Sequence, residues 1–167
     1  MKLNTLKDLF HHELEDLYSA EQQMLRALPR LSQAATHNDL KAAFRAHLVE
    51  TQMHALRLHK IAYKLDQPLE YRHCRGMESL IEETVELLRE EADENVRDAA
   101  LIGAAQRMEH YEIAAYGSAA ALASRLGLQE AAALLQDTLD EERITDARLT
   151  GIAETEVNGD AAIALRA

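Results

Sequence analysis

The stretch QPLEYRHCRG, residues 67–76, decides how the chain folds. It has a proline near its start, a glycine at its end and no apolar repeat at helical spacing, so it reads as a loop. A shorter amphipathic segment follows, from about Met77 to Glu91. Loop and short helix together make a connection long enough to run back along a helical bundle.

On either side the apolar pattern is helical and long. Thr5 followed by Asp8 is a capping signal, and Leu6, Leu9, Phe10, Leu14, Leu17, Leu25, Leu28 and Leu31 carry a first long helix from about Thr5 to Ala35. Pro29 inside it is expected to kink or loosen the helix. A second long helix runs from Asn38 to about Asp66, a third from Glu94 to Leu126 with Gly127 as its stop, and a fourth from Gln129 to Glu156. The first and second are joined by a short turn, as are the third and fourth, so each pair is antiparallel. Two hairpins with one long crossover predict an all-α, ferritin-like four-helix bundle with an additional short helix in that crossover. Residues 1–157 form this one domain, and residues 158–167 read as a flexible tail.

The composition agrees: of 167 residues 47% are hydrophobic and only 4% aromatic, with six glycines and two prolines. A net charge of −11 and a pI near 5.1 argue against nucleic acid and anionic membrane surfaces as partners, and favour cations. The single cysteine, Cys74, excludes an internal disulfide framework and a cysteine-based zinc site, and reads as an ordinary loop thiol. With no apolar leader and no run of membrane-spanning length, the expectation is a cytoplasmic protein.

Against this background the acids of EHYEIAAYG, residues 109–117, are out of place. Glu109, Glu112 and Tyr116 share a helical face with Ala105, Ala119 and Ala123, where an uncompensated carboxylate would be costly. A weak internal repeat extends the pattern. Laying the second helix pair over the first puts Glu21 on Glu112, Tyr18 on Glu109, Glu50 on Glu142 and His54 on Asp146. Each long helix then carries an acid near mid-length on its apolar face. Converging carboxylates with an added imidazole are how two-metal sites are built inside bundles, and an oxygen-rich set suits iron or manganese. The candidate ligands are Glu21, Glu50, His54, Glu109, Glu112, Glu142 and Asp146, with His47 in reserve and Tyr116 beside the site. No organic cofactor is indicated. The competing reading is a polar layer in which Arg57, Arg107 or Arg143 neutralises the acids and fixes helix register.

The motifs DLYSAEQQ, RDAALI, EHYEIAAYG and LDEE resemble, as a set, those of the YciF/YciE family of ferritin-like stress-response proteins, over most of the chain from Leu6 to about Val157. The resemblance implies a homodimer in bacterial cytoplasm, associated with general, osmotic or oxidative stress. It also implies a bundle similar to that of rubrerythrin and manganese catalase, whose metal-binding acids match Glu21, Glu50, Glu112 and Glu142. Peroxide or dioxygen is the partner such a site would handle, in an oxidoreductase or peroxidase-like reaction. A metal-free structural or interaction bundle is the alternative.

Overall fold

A computed structural model describes residues 3–70 and 72–164. Four long helices and a short one follow in chain order: α1 (Leu6–Ala34), α2 (Asn38–Lys64), α3 (Arg75–Leu87), α4 (Glu94–Arg125) and α5 (Gln129–Ile152). A π-helical turn, Ala153–Val157, then leads into α6 (Asn158–Ala164). The expected crossover is present: α3 lies between the α1/α2 and α4/α5 hairpins and packs on α1 and α4.

Local chemistry accounts for the boundaries. Thr5 Oγ1 accepts from the Asp8 amide at 3.1 Å while Asp8 Oδ2 accepts from the Thr5 amide at 2.9 Å, the reciprocal capping box that the Thr5/Asp8 spacing predicts. Gly127 adopts φ +76°, and the Leu128 amide reaches the Ala123 carbonyl at 2.9 Å, so α4 ends in a Schellman motif. Asp66, at φ +50°, ends α2 the same way, with the Gln67 amide 3.0 Å from the Ala62 carbonyl. Pro29 does not end α1; it sits on the exposed side, where water can reach the Leu25 carbonyl it leaves without an amide partner.

One expectation needs correction and one needs detail. Residues 158–164 are helical rather than a loose tail, because the wider π-helical turn carries Val157 into the core and lays α6 against α4; residues 165–167 lie outside the described residues. Cys74 lies in the loop before α3, as expected of a loop thiol, but is fully buried there, 3.2 Å from Asp16 Oδ2 and 3.0 Å from Tyr111 Oη. Burial pushes its thiol above the usual range.

The core falls into two apolar clusters. One gathers Met24, Leu28, Phe44, Leu101, Ile102 and Leu149; the other gathers Leu14, Leu17, Leu58, Ile61, Tyr116 and Leu135. Each long helix contributes to both, and between its two contributions each carries buried polar residues: Glu21 on α1, His47 and His54 on α2, Glu109 and Glu112 on α4, Glu142 on α5. The bundle is therefore two apolar clusters separated by a charged layer at mid-length.

Candidate metal centre

The six layer residues reach the interior because each stands where an apolar residue would otherwise point. On α2 the buried positions His47, Thr51, His54, Leu58 and Ile61 recur every three or four residues, so both imidazoles face inward two turns apart. On α4, Glu109 and Glu112 occupy the same face as Ala105 and Tyr116. All six are essentially inaccessible to solvent.

They form two groups that share a member. Ligand-type atoms of His47, Glu109, Glu112 and Glu142 lie within 4.8 Å of one another, and so do those of Glu21, His54 and Glu142. Glu142 Oε1 is 2.9 Å from His54 Nδ1, and Glu142 Oε2 is 3.8 Å from His47 Nε2. One carboxylate thus offers an oxygen to each group. His47 Nε2 also lies 3.3 Å from Glu109 Oε1, and His54 Nδ1 lies 3.5 Å from Glu21 Oε1.

The outer ring nitrogens are fastened by other carboxylates. His54 Nε2 is 2.9 Å from Glu141 Oε2, and Arg57 grips Glu141 with two hydrogen bonds, Nη1 to Oε2 at 2.5 Å and Nη2 to Oε1 at 2.8 Å. With Nε2 held in this way, Nδ1 faces Glu21 and Glu142. His47 Nδ1 lies 3.4 Å from Glu50 Oε2, which also accepts from Thr145 Oγ1 at 3.2 Å. Tyr116 donates to Glu21 Oε1 at 2.5 Å.

Protons are unevenly distributed over the layer. Burial, reinforced by the charges of neighbouring glutamates, holds Glu109 and Glu112 well above the usual carboxylate range, and burial raises Glu21 as well. Burial opposes the charge on His54, but hydrogen bonds to Glu142 and Glu21 outweigh it and push the imidazole up to about 11. Burial likewise opposes ionisation of Glu142, but the two histidines win and lower it. Burial puts the Tyr116 hydroxyl far above its ordinary value, so it is a donor at any ordinary pH.

Of the residues picked from the sequence, Glu21, His54, Glu109, Glu112 and Glu142 are brought together, with Tyr116 alongside. Glu50 and Asp146 are outside both groups. Glu50 is half-buried and holds His47, the reserve candidate, which takes the inward position one turn earlier. Asp146 accepts from Gln106 Nε2 at 3.0 Å and pairs with His110 toward the surface. Glu141 and Arg57 complete the surroundings of His54; the Glu141–Glu142 doublet in LDEE and an arginine three residues after His54 were their only signs in the sequence. The competing arginine layer is not seen among the described residues: Arg57 pairs with Glu141 and Arg143 with the exposed Asp140, and neither meets a central carboxylate.

Six carboxylate oxygens of the layer accept no well-aligned hydrogen bond: Glu21 Oε2, Glu109 Oε2 and both oxygens of Glu112 and Glu142, although Glu142 Oε1 stands at ion-pair distance from His54 Nδ1. Buried polar atoms are normally paired, so a convergent set of unpaired acceptors calls for a compensating charge. The donor types, carboxylate oxygens plus two imidazole nitrogens, are ones that could hold a metal ion. A further group, His37, Asp39 and Glu156, is largely solvent-exposed.

Comparison with known proteins places this architecture. Residues 5–162 match the family described as domain of unknown function DUF892. Protein YciF of Escherichia coli K12 is 45% identical over 159 residues, covering 95% of this chain and 96% of its own. The crystal structure of the E. coli stress protein YciF superposes with a TM-score of 0.90 at 46% identity, over 93% of this chain and 98% of that one. YcfI of Rhodopseudomonas palustris, termed a candidate structural protein, superposes with a TM-score of 0.87 at 40% identity, over 89% and 95% of the two chains. Matched along nearly its whole length in sequence and in fold, the chain belongs to the DUF892 family of YciF-like proteins.

Proposed function

We propose that the charged layer is a two-metal centre, for iron or manganese, in a stress-response protein that handles peroxide or dioxygen. The observation that carries this reading is Glu142: buried between two groups, it offers one oxygen to each, while Glu109 Oε2 and both oxygens of Glu112 beside it accept no hydrogen bond. His47, Glu109 and Glu112 would hold one ion, Glu21 and His54 the other, and Glu142 would span both. Four carboxylates balance two divalent cations in charge. The ions, when bound, supply Lewis acidity and a change of oxidation state. The chain's own residues supply the rest. Glu141 with Arg57, and Glu50 with Thr145, set the two imidazole rings. Tyr116 keeps its proton and places it on Glu21. The apolar clusters on either side keep bulk water from the layer.

Metal analysis and thermal unfolding test this together. Protein purified without chelators and supplied with Mn(II) or Fe(II) should carry about two ions per chain and melt at a higher temperature than the chelated form, since a ligand of the folded state stabilises by mass action. Glu142→Ala should lose both ions and the shift. Equal metal content and unchanged melting in both proteins would instead favour a metal-free structural bundle whose layer is held by protons; the R. palustris relative is described as a candidate structural protein.

The proposed assembly is a homodimer. Val49, Met53, Leu56 and Tyr63 are exposed large apolar residues at helical spacing on α2, with Ile144 of α5 exposed as well. A stripe of this kind on a chain of net charge −11 suits burial against a second copy better than open water.

A further inference from the structure

Away from the charged layer, α1 and α3 form a half-open cavity of about 360 Å³ with one residue of α4, Met108, in its wall. Its walls are apolar, chiefly Ala27, Leu31, Ile81, Val85, Leu88 and Met108, and two arginines one helical turn apart, Arg26 and Arg30, also line it. Both arginines are exposed, and neither has a carboxylate at ion-pair distance among the described residues. The lining contains no acid, although the chain has 29.

We propose that this cavity binds a single-chain aliphatic carboxylate, its chain inside and its head between Arg26 and Arg30. Guanidinium pairs match a carboxylate in both charge and geometry. The interior suits a plain alkyl chain rather than a peptide, because the polar groups in the wall already use their donors. Gln23 Nε2 donates to the Cys74 carbonyl at 2.9 Å and to Ser19 Oγ at 3.3 Å, and Thr84 Oγ1 donates to the Leu80 carbonyl at 2.8 Å. Size selects one chain rather than the two of a phospholipid. At about 30 Å³ per water-sized group, the cavity holds about twelve such groups, the heavy-atom count of decanoate. The volume is at the small end of the range for small-molecule sites, roughly 300–1,000 Å³.

Calorimetric titration of the full chain with decanoate, below its micelle-forming concentration, tests the site, with decanol and acetate as the tail-only and head-only probes. Decanoate should bind one per chain, decanol at least about tenfold more weakly, and acetate not measurably. R26Q/R30Q, altering two exposed residues, should bring decanoate down to the affinity of decanol and leave decanol unchanged. Val85→Trp should weaken both by filling the cavity; if that variant does not fold, the two ligands on R26Q/R30Q decide. Equal affinity for decanoate and decanol, or decanoate binding that survives R26Q/R30Q, would overturn the proposal. So would binding to phosphatidylglycerol vesicles through these arginines without binding of free decanoate, which would make the face a membrane contact.

Discussion

His54 has a different partner on each ring nitrogen, and that asymmetry makes its neighbours as telling as the residue itself. With Nε2 held by Glu141 and Glu141 held by Arg57, the ring is fixed with Nδ1 inward. Glu141→Gln should therefore weaken Mn(II) binding by about 10- to 100-fold, the usual cost of losing a carboxylate behind a ligating imidazole, while the fold persists. A competitive chelator titration would measure it, and unchanged affinity would mean that Glu141 is only a surface ion pair. The proton distribution gives a second prediction. Glu21, Glu109, Glu112 and His54 all have folded-state values raised above their ordinary ones, so the metal-free folded chain binds more protons than the unfolded chain. Its stability must then fall as pH rises, from about 4.5 for the carboxyls and on through about 11 for His54. Glu142, Glu50 and Glu141, all lowered, work in the opposite sense, but only at acid pH, since above the ordinary 4.5 they are ionised in both states. Melting of chelated protein should decline from pH 5 to pH 9, and metal, which displaces these protons, should restore most at the alkaline end. A flat profile would contradict the proton assignment. The sequence made Glu21, Glu112 and Glu142 legible because apolar residues flank each of them at helical spacing. Glu50 and Asp146 fall outside both groups for a geometric reason: they stand about 60° and 40° around their helices from His47 and Glu142, still on the apolar side but at its edge. Glu141 was not legible, because its partners are 84 and 87 residues away in the chain.

Among the elements, the start of α2 depends most on another helix. His37 makes no side-chain cap, and the buried carboxylate of Asp98, from α4, accepts from the Thr36 amide at 2.9 Å, the His37 amide at 2.6 Å and the Thr36 hydroxyl at 2.7 Å. This contact ties the first hairpin to the second at the end of the bundle. Asp98→Ala should destabilise by about 2–4 kcal/mol in urea unfolding, because charged hydrogen bonds are lost and buried amides are left unpaired; a loss under about 0.5 kcal/mol would show that water replaces the carboxylate. The RDAALI segment drew notice only as a family motif, since capping across helices leaves no local signature. Boundaries set by local chemistry, such as the Thr5/Asp8 box and the Gly127 stop, were readable. The last helix was not. Nothing in residues 153–157 announces a π-helical turn, and without it Val157 would not reach the core.

For the molecule as a whole, two apolar clusters would hold a bundle without a charged layer, so the layer costs stability that a plain core would keep. That expense is the strongest physical reason to expect a function in it. Assembly bears on the outer surface. Leu56→Asp, at the centre of the exposed α2 stripe, should shift the protein from dimer to monomer in size-exclusion chromatography with light scattering, with its helicity unchanged. Retention of the dimer would place the interface elsewhere. The overall topology was legible because the 67–76 loop and the short helix after it are long enough for a crossover, against the alternative of an up-down-up-down bundle with an inserted helix; which acids meet was not, because depth in a four-helix bundle depends on all four helices at once. Among the described residues no helix is long and apolar enough to cross a membrane, in keeping with the charge pattern. The account turns on Glu142 standing between two ions. Anomalous diffraction from crystals grown with Mn(II) should show two peaks inside the bundle, both within bonding distance of Glu142, one beside His47 and Glu109 and the other beside Glu21 and His54. No interior peak, or manganese only at the exposed His37, Asp39 and Glu156, would contradict it.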